Sequence, residues 1–137
     1  MSIPRDEDGS ILLLTLGYAL LACALILVSV CATDLYIAQK RLDALADSAA
    51  LAGADGFTVV VSGESVRTDL TDAGVRDQAA ALLTAMPGDA MLVSASAPDG
   101  VSARVTVSAD WHPPILALFV PDGVRLQATG TSRTALR

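Results

Sequence analysis

The longest hydrophobic feature of the chain is an unbroken run of 23 uncharged, mostly apolar residues from Ile11 to Thr33. A helix rises about 1.5 Å per residue, so this run covers roughly 35 Å, more than the ~30 Å hydrocarbon core of a bilayer. Such a helix bonds its own backbone polar groups, which is why lipid tolerates it. The pattern predicts a transmembrane helix over 11–33, preceded by a short cytoplasmic N-terminus over 1–10.

Two further interpretations of this run stay open. A cleaved secretory signal begins with a positive segment and has a shorter apolar stretch. Here the preceding segment carries acidic residues at 6–8 against Arg5. A lipoprotein signal is the other interpretation, because Leu20 to Cys23 is similar to a lipobox in which Cys23 would be acylated. Cleavage before Cys23 would leave the rest of the apolar run, up to Thr33, at the start of the mature chain.

The helical pattern continues beyond the run, as an amphipathic extension over 34–54. Its apolar positions are spaced 3, 4, 3, 4 and 3 residues apart, which is typical of a coiled coil. These positions form what we call the helix seam: Leu35, Ala38, Leu42, Leu45, Ala49 and Ala52. The seam is narrow and rich in alanine, so it predicts close packing against a second helix. Packing on the chain's own domain is the alternative, and both can hold on different faces.

A second helix is indicated further along the chain. Residues 57–62 are β-branched and predict a short strand or an extended link. Thr71 is then a suitable N-cap, and Pro87-Gly88 ends the helix. The apolar positions between them predict one buried face: Val75, Ala79, Leu82, Leu83 and Met86.

The remainder of the chain has strand patterns. Segments 90–97 and 101–110 flank Pro98-Asp99-Gly100, which is a hairpin signal, and 101–110 alternates apolar and polar residues. Residues 115–119 predict a short apolar crossing, and 124–134 a last strand. The predicted fold class is α+β. A long N-terminal transmembrane, pilin-like helix precedes a small exported domain over 55–137, with an antiparallel sheet of about three strands and one packing helix.

The distribution of charge bears on the partners of the chain and on its orientation in a membrane. The net charge is −6 with no basic patch, which argues against nucleic acid as a partner. Basic residues are nearly balanced about the run, with Arg5 before it and Lys40 and Arg41 after it. Large domains translocate largely regardless of charge. We therefore expect a single pass in the cytoplasmic membrane, with the C-terminal domain outside.

The sequence offers no convincing catalytic or metal-binding set. The single histidine, His112, stands beside two prolines, and both cysteines, Cys23 and Cys31, lie within the apolar run. Neither a Walker motif nor a GxGxxG occurs. Trp111 fits core or membrane-interface packing better than a surface contact. We expect neither an enzyme nor a cofactor-binding protein.

The extension carries a family resemblance. An Asp at the exit of the apolar helix, a basic residue before a leucine, and the run ADSAALAGA over 46–54 stand in register. Together they resemble the signature of Tad (tight adherence) Flp-pilus assembly proteins of the TadE/TadG-like group. The resemblance covers about Gly9 to Ala54. The matching residues are Asp34, Leu42, Ala46, Asp47, Ala49, Ala50, Leu51, Ala52 and Gly53.

The resemblance implies a minor pilin or pilus-associated protein. Its partners would be other pilins or Tad assembly proteins, met as a homo- or hetero-oligomer through the N-terminal helix. Such systems use a prepilin peptidase that cuts after a glycine before the apolar helix, and Gly9-Ser10 occupies that place. Leu14 stands where the family usually has the fifth mature residue, a glutamate. A cleaved pseudopilin and a permanent anchor are therefore both retained.

The predicted function is that of a membrane-anchored structural or assembly subunit of a Tad/Flp type IV pilus or related secretion system. It would act by helix packing and protein–protein contacts. The alternative from another class is an anchored ligand- or peptide-binding module of the cell envelope. A pocket with convergent polar groups would favour that alternative.

Overall fold

The apolar run and the extension form one continuous helix, α1, which extends from Glu7 to Ala54 in the computed structural model. The structure describes residues 7–63 and 65–133. The 48 residues of α1 make a helix roughly 72 Å long at about 1.5 Å per residue. Most of the predicted N-terminal segment 1–10, namely 1–6, lies outside the described residues.

The rest of the chain forms a small mixed domain, which confirms the predicted α+β class. Two of its strands pair as a separate antiparallel hairpin, and the other three form an antiparallel sheet in the order β3-β4-β5. After α1 the elements are β1 (Thr58–Ser62), β2 (Ser65–Asp69), α2 (Asp72–Ala85), β3 (Met91–Ser96), β4 (Ser102–Trp111) and β5 (Val124–Arg133).

Strand β4 is the centre of the sheet. Its register places Val105 opposite Ala95 of β3 and Gly130 of β5. The predicted alternation holds in the middle of the strand, where Val105 and Val107 are fully buried while Arg104 is exposed. It fails towards the ends, where the polar Ser102 and Ser108 are also buried. The hairpin between β3 and β4 forms around the predicted turn. The last strand was predicted to reach Thr134, which lies outside the described residues.

Helix α2 begins as the sequence predicts. The Thr71 hydroxyl accepts a hydrogen bond from the Gly74 N–H at 3.1 Å, which satisfies one of the free donors of the first turn. The helix ends at Ala85, just before Pro87. Val75 and Ala79 are buried as expected. Met86 is not on the buried face, because it caps the helix in an extended conformation and is exposed.

The predicted short strand over 57–62 is present as β1, and it pairs with β2, which was not predicted. One prediction differs from the structure. The segment 115–119 is not an apolar crossing through the core, since it forms turns whose large side chains Ile115, Leu118 and Phe119 are exposed.

The core lies where the C-terminal half of α1 crosses the sheet. This half of the helix contacts β4, β5 and α2. Most of the buried side chains are alanine and valine, which lets the layers approach closely. The buried apolar residues are Leu42, Ala46, Ala49, Ala50, Ala54, Leu70, Val75, Ala79, Ala95, Ala103, Val105, Val107 and Ala128.

Candidate assembly surface along the long helix

The N-terminal half of α1 makes no buried contact with the domain. No residue from Gly9 to Asp34 is buried, although most of them are apolar. The hydroxyls within the run are satisfied locally: Thr15, Ser29 and Thr33 each donate to the carbonyl four residues earlier at 2.8 Å. The run therefore presents an apolar surface with its polar groups bonded internally, as a helix in lipid or in a helical bundle requires.

Gly9 and Ser10 lie at the start of this surface. Both are exposed and belong to the first turns of α1. Backbone N–H groups at a helix start lack intrahelical partners, and helix ends open at low cost. Leu14, in the position of the family glutamate, is exposed one turn further on.

At the end of the run, α1 is hydrogen-bonded to the sheet. The indole Nε1 of Trp111 donates to Oδ2 of Asp34 at 2.7 Å. Tyr36 follows two residues after Asp34, and the ammonium of Lys40 lies 5.7 Å from the centre of its ring, a cation–π contact. Asp34, the exit acid of the resemblance, thus fixes the first turn after the run against the end of β4.

A second polar link follows one turn later. Gln39 Nε2 donates to Oδ1 of Asp43 at 2.9 Å and to the main-chain carbonyl of Gln127 in β5 at 3.0 Å. Lys40 and Asp43 also form an exposed ion pair at 3.5 Å. These contacts hold the extension on the edge of the domain where its buried stripe begins.

The alanine-rich run is the stripe on which the sheet packs. Ala46, Ala49 and Ala50 are fully buried. A Cβ at Gly130 of β5 would collide with the carbonyl of Ala46, so only glycine allows the strand to approach the helix backbone so closely. The small residues of the run serve this approach.

Gly53 continues the stripe at the other end of the extension. A Cβ there would lie 2.8 Å from Cγ1 of Val75 and 3.4 Å from Cβ of Ala103. The helix therefore meets α2 and β4 at this glycine, and a side chain would force the Val75 methyl group aside.

The helix seam coincides with this stripe only in part. Leu42 and Ala49 are buried, whereas Leu35, Ala38, Leu45 and Ala52 are half-buried. Ala46, Ala50 and Gly53, which the seam omits, are buried. The buried residues face the chain's own sheet, as the alternative interpretation predicted. Alanines occur on several faces of the extension, so the sequence did not indicate that Ala46 and Ala50 would be the buried ones.

The residues that carry the resemblance to the pilus family lie mainly on two different surfaces of α1. One group is buried against the domain: Leu42, Ala46, Ala49, Ala50 and Gly53. The exposed group contains Asp34, Asp47 and Leu51, and Leu51 is 60% exposed despite its size. A shallow apolar groove also runs beside α1, bordered by Ala38, Leu45, Met86, Ala90 and Ala109. The outward surface of α1 is thus a partly apolar strip that its own domain leaves uncovered.

Two acidic residues near the turns of the sheet have altered ionisation. The hydrogen bond from the Ser102 hydroxyl, at 2.8 Å, lowers the pKa of Asp99, and the Val101 and Ser102 N–H groups add to this effect. A hydrogen bond from Arg125, at 3.1 Å, lowers the pKa of Asp110, and the same pair raises the pKa of Arg125. Both acids stabilise the ends of strand β4.

Within residues 7–63 and 65–133, no group of three or more His, Cys, Asp or Glu side chains is arranged to hold a metal ion. Comparison of the chain with protein-family models, curated proteins and solved structures gave no match.

Proposed function

We propose that this chain is a membrane-anchored structural subunit with pilin-like architecture. The observation that carries the proposal is the division of α1 into an exposed apolar half and a half that forms the domain core. By length and composition α1 can cross a membrane, and none of its most apolar window is buried. A core helix of a soluble protein would bury that window, so lipid or neighbouring apolar helices are the environment that fits it.

The finer proposal is a subunit of a Tad/Flp type IV pilus or a related secretion system. It is supported by the sequence resemblance over about Gly9 to Ala54 and by the exposed strip that contains Asp47 and Leu51. The subunit would lie in the cytoplasmic membrane with its domain outside. Other pilins or Tad assembly proteins would pack on the apolar run and on that strip.

Intact-mass measurement of the protein purified from its native membrane tests the anchor. A chain that starts at Ser10 supports a cleaved pseudopilin, and a chain that starts at Met1 or Ser2 supports a permanent anchor. A chain that starts at Thr33 would lack all but the last residue of the apolar run and would contradict both forms of the proposal.

Site-specific photocrosslinking in native cells tests the assembly role. A photoreactive residue in place of Leu51 should crosslink to a second subunit with an apolar N-terminal helix. The matched control replaces Val101, an exposed apolar residue in the β3–β4 turn at the far end of the domain. Equal crosslinking at both positions, or none at Leu51, would argue against a helix-mediated assembly.

A further inference from the structure

The loop that joins β4 to β5, residues 112–123, holds the most exposed large apolar side chains among the described residues of the domain. Ile115 is 53% exposed, Leu118 92% and Phe119 80%. Surface loops usually carry polar side chains at their tips, and adjacent exposed apolar residues of this size mark an interaction surface. We call residues 112–123 the β4–β5 loop.

The contacts of α1 place this loop along the axis of the helix. Strand β4 runs antiparallel to α1, because Ala103 at its start faces Gly53 and Trp111 at its end bonds Asp34. The strand advances about 26 Å over these eight residues, at ~3.3 Å each. The helix advances about 28 Å over its corresponding nineteen residues. The end of β4 is therefore level with Asp34, and the β4–β5 loop begins there.

Asp34 is also the first charged residue after the apolar run. Tyr36 and Trp111 lie at the same level, and aromatic residues of this kind are enriched where a membrane meets water. The exposed tip of the loop thus belongs to the end of the domain nearest the lipid boundary.

The loop satisfies part of its own backbone. The N–H groups of Phe119 and Val120 both donate to the carbonyl of Leu116, at 2.9 and 3.0 Å, and Gly123 N–H donates to Val120 at 3.2 Å. A loop whose tip reaches the hydrocarbon boundary costs less to insert when its backbone groups are bonded internally, because water is scarce there. The Asp110–Arg125 pair, which flanks the loop, and Asp122 near the end of the loop suit the headgroup region.

We propose that the β4–β5 loop inserts Ile115, Leu118 and Phe119 into the outer surface of the bilayer that α1 crosses. The loop is a second membrane contact, which fixes the tilt and rotation of the domain about the helix. This inference rests on the anchoring part of the proposed function and is independent of the pilus assignment. We favour the bilayer as the partner of the loop, because the Asp34–Trp111 bond holds the start of the loop at the level where the apolar run ends.

Tryptophan quenching by brominated lipid tests the proposal. Trp111 is the single tryptophan of the original chain and is kept, because its indole donates the hydrogen bond to Asp34. The quenching measured for the original chain is therefore subtracted from that of each tryptophan reporter. The reporter is Phe119→Trp, in the full chain reconstituted at one copy per lipid nanodisc, with phosphatidylcholine brominated either near the headgroup or deep in the acyl chain. Single occupancy removes a second copy of the chain as a covering partner.

Two control reporters accompany it: Leu21→Trp in the apolar run and Val101→Trp at the opposite end of β4. We expect Phe119→Trp to be quenched several-fold more than Val101→Trp, and more by the shallow bromines than by the deep ones. The Leu21→Trp reporter should be quenched most by the deep bromines. Leu118→Asp added to the Phe119→Trp reporter should reduce its quenching towards the Val101→Trp level, whereas Leu118→Ala should reduce it less.

The outcomes separate the two proposals. Quenching of Leu21→Trp without quenching of Phe119→Trp overturns the loop insertion and leaves the anchor intact. Absence of quenching at Leu21→Trp overturns the anchor and the insertion together. Equal quenching at Phe119→Trp and Val101→Trp means that the domain lies flat on the membrane, which also overturns insertion by the loop.

Discussion

Single residues decide how closely the domain packs on α1. Gly130 and Ala46 meet backbone to backbone, and Gly53 meets Val75 and Ala103. Asp34 adds a directional contact, because its carboxylate accepts from the one indole of the chain. The two members of a contacting pair are separated by up to 84 positions in sequence, as for Ala46 and Gly130, so their pairing depends on the fold.

Gly130→Ala tests the close approach of β5 to α1. The added methyl group would meet the Ala46 carbonyl, which is part of the helix backbone and cannot move cheaply. We expect a loss of about 1–3 kcal/mol in the free energy of unfolding, as for overpacking in other cores. Thermal unfolding followed by Trp111 fluorescence measures the loss. The exposed neighbour Thr131→Ala should stay near the original Tm; equal Tm values for both variants would mean that β5 lies further from the helix.

A double-mutant cycle tests the Asp34–Trp111 hydrogen bond. Asp34→Ala, Trp111→Phe and the double variant should show a coupling free energy on the order of 1 kcal/mol, because the acceptor is charged but the contact is exposed. Thermal unfolding by circular dichroism measures it in all four chains. Asp47→Ala, on the exposed face of α1, should show no coupling with Trp111→Phe. Additive effects of Asp34→Ala and Trp111→Phe would mean that the bond contributes nothing.

The Asp99 turn predicts a pH dependence. Its pKa is lowered below the ordinary value of 3.8 by the Ser102 hydroxyl and by backbone N–H groups, those of Val101 and Ser102 among them. The stabilisation is therefore fully present above the unfolded-state pKa and is lost as the pH falls through the lower pKa of the folded state. The urea midpoint should fall on acidification less in Asp99→Asn than in the original chain.

Ser102→Ala, which keeps the backbone donors, should give an intermediate pH dependence. Asp110 contributes in the same direction through Arg125, so some acid sensitivity persists in both variants. An identical acid response in Asp99→Asn and the original chain would contradict a stabilising role for the turn carboxylate.

At the scale of elements, α1 has two different kinds of surface. Its inner stripe is made of small residues that face the sheet and α2, and its outer strip holds residues that the domain leaves uncovered. The apolar run extends the outer strip beyond the domain. The helix can therefore stabilise its own domain and remain free to pack against lipid or other helices.

The adjacent residues Ala50 and Leu51 separate these two surfaces. Ala50→Leu adds volume at a fully buried position and should cost about 1–3 kcal/mol of stability. Leu51→Ala removes an exposed side chain and should change stability by less than about 0.5 kcal/mol, while it weakens assembly. Urea unfolding measures the first effect and crosslinking in native membranes the second. Loss of stability in Leu51→Ala would place that residue in the core instead.

At the scale of the whole molecule, a helix roughly 72 Å long carries a small domain on its second half. The domain meets α1 from Asp34 onward, directly after the apolar run. In the proposed arrangement the domain stands at the membrane surface, with the end of β4 towards lipid and the β3–β4 turn away from it.

Cys23→Ala tests how the whole chain is attached. Cys23 is exposed in the middle of the apolar run, where acylation would signal a lipoprotein. If the helix itself is the anchor, the variant stays in the membrane fraction after alkaline extraction, because the apolar run is unchanged. Cys31→Ala serves as the matched control. Release of the Cys23→Ala chain, with retention of Cys31→Ala, would establish a lipid anchor.

Much of the fold was predictable because its signals are local. The apolar run, the Thr71 cap and the alternation in the middle of β4 each depend on neighbouring residues, and each appears in the structure. Strand β2 was missed because Ser65–Asp69 contains one apolar residue and gives no alternation. The segment 115–119 was misplaced because composition alone cannot distinguish a buried apolar turn from an exposed one.

The sequence by itself determined that α1 is long, apolar at first and amphipathic afterwards, and that an α+β domain follows. Only the tertiary structure decided which alanines of the extension are buried, because that depends on where Gly130 lets β5 approach the helix. It also decided that Trp111 meets Asp34 and that the β4–β5 loop stays exposed at the end of the apolar run. Periodicity follows from the local backbone, whereas the choice between equivalent faces follows from contacts between distant segments.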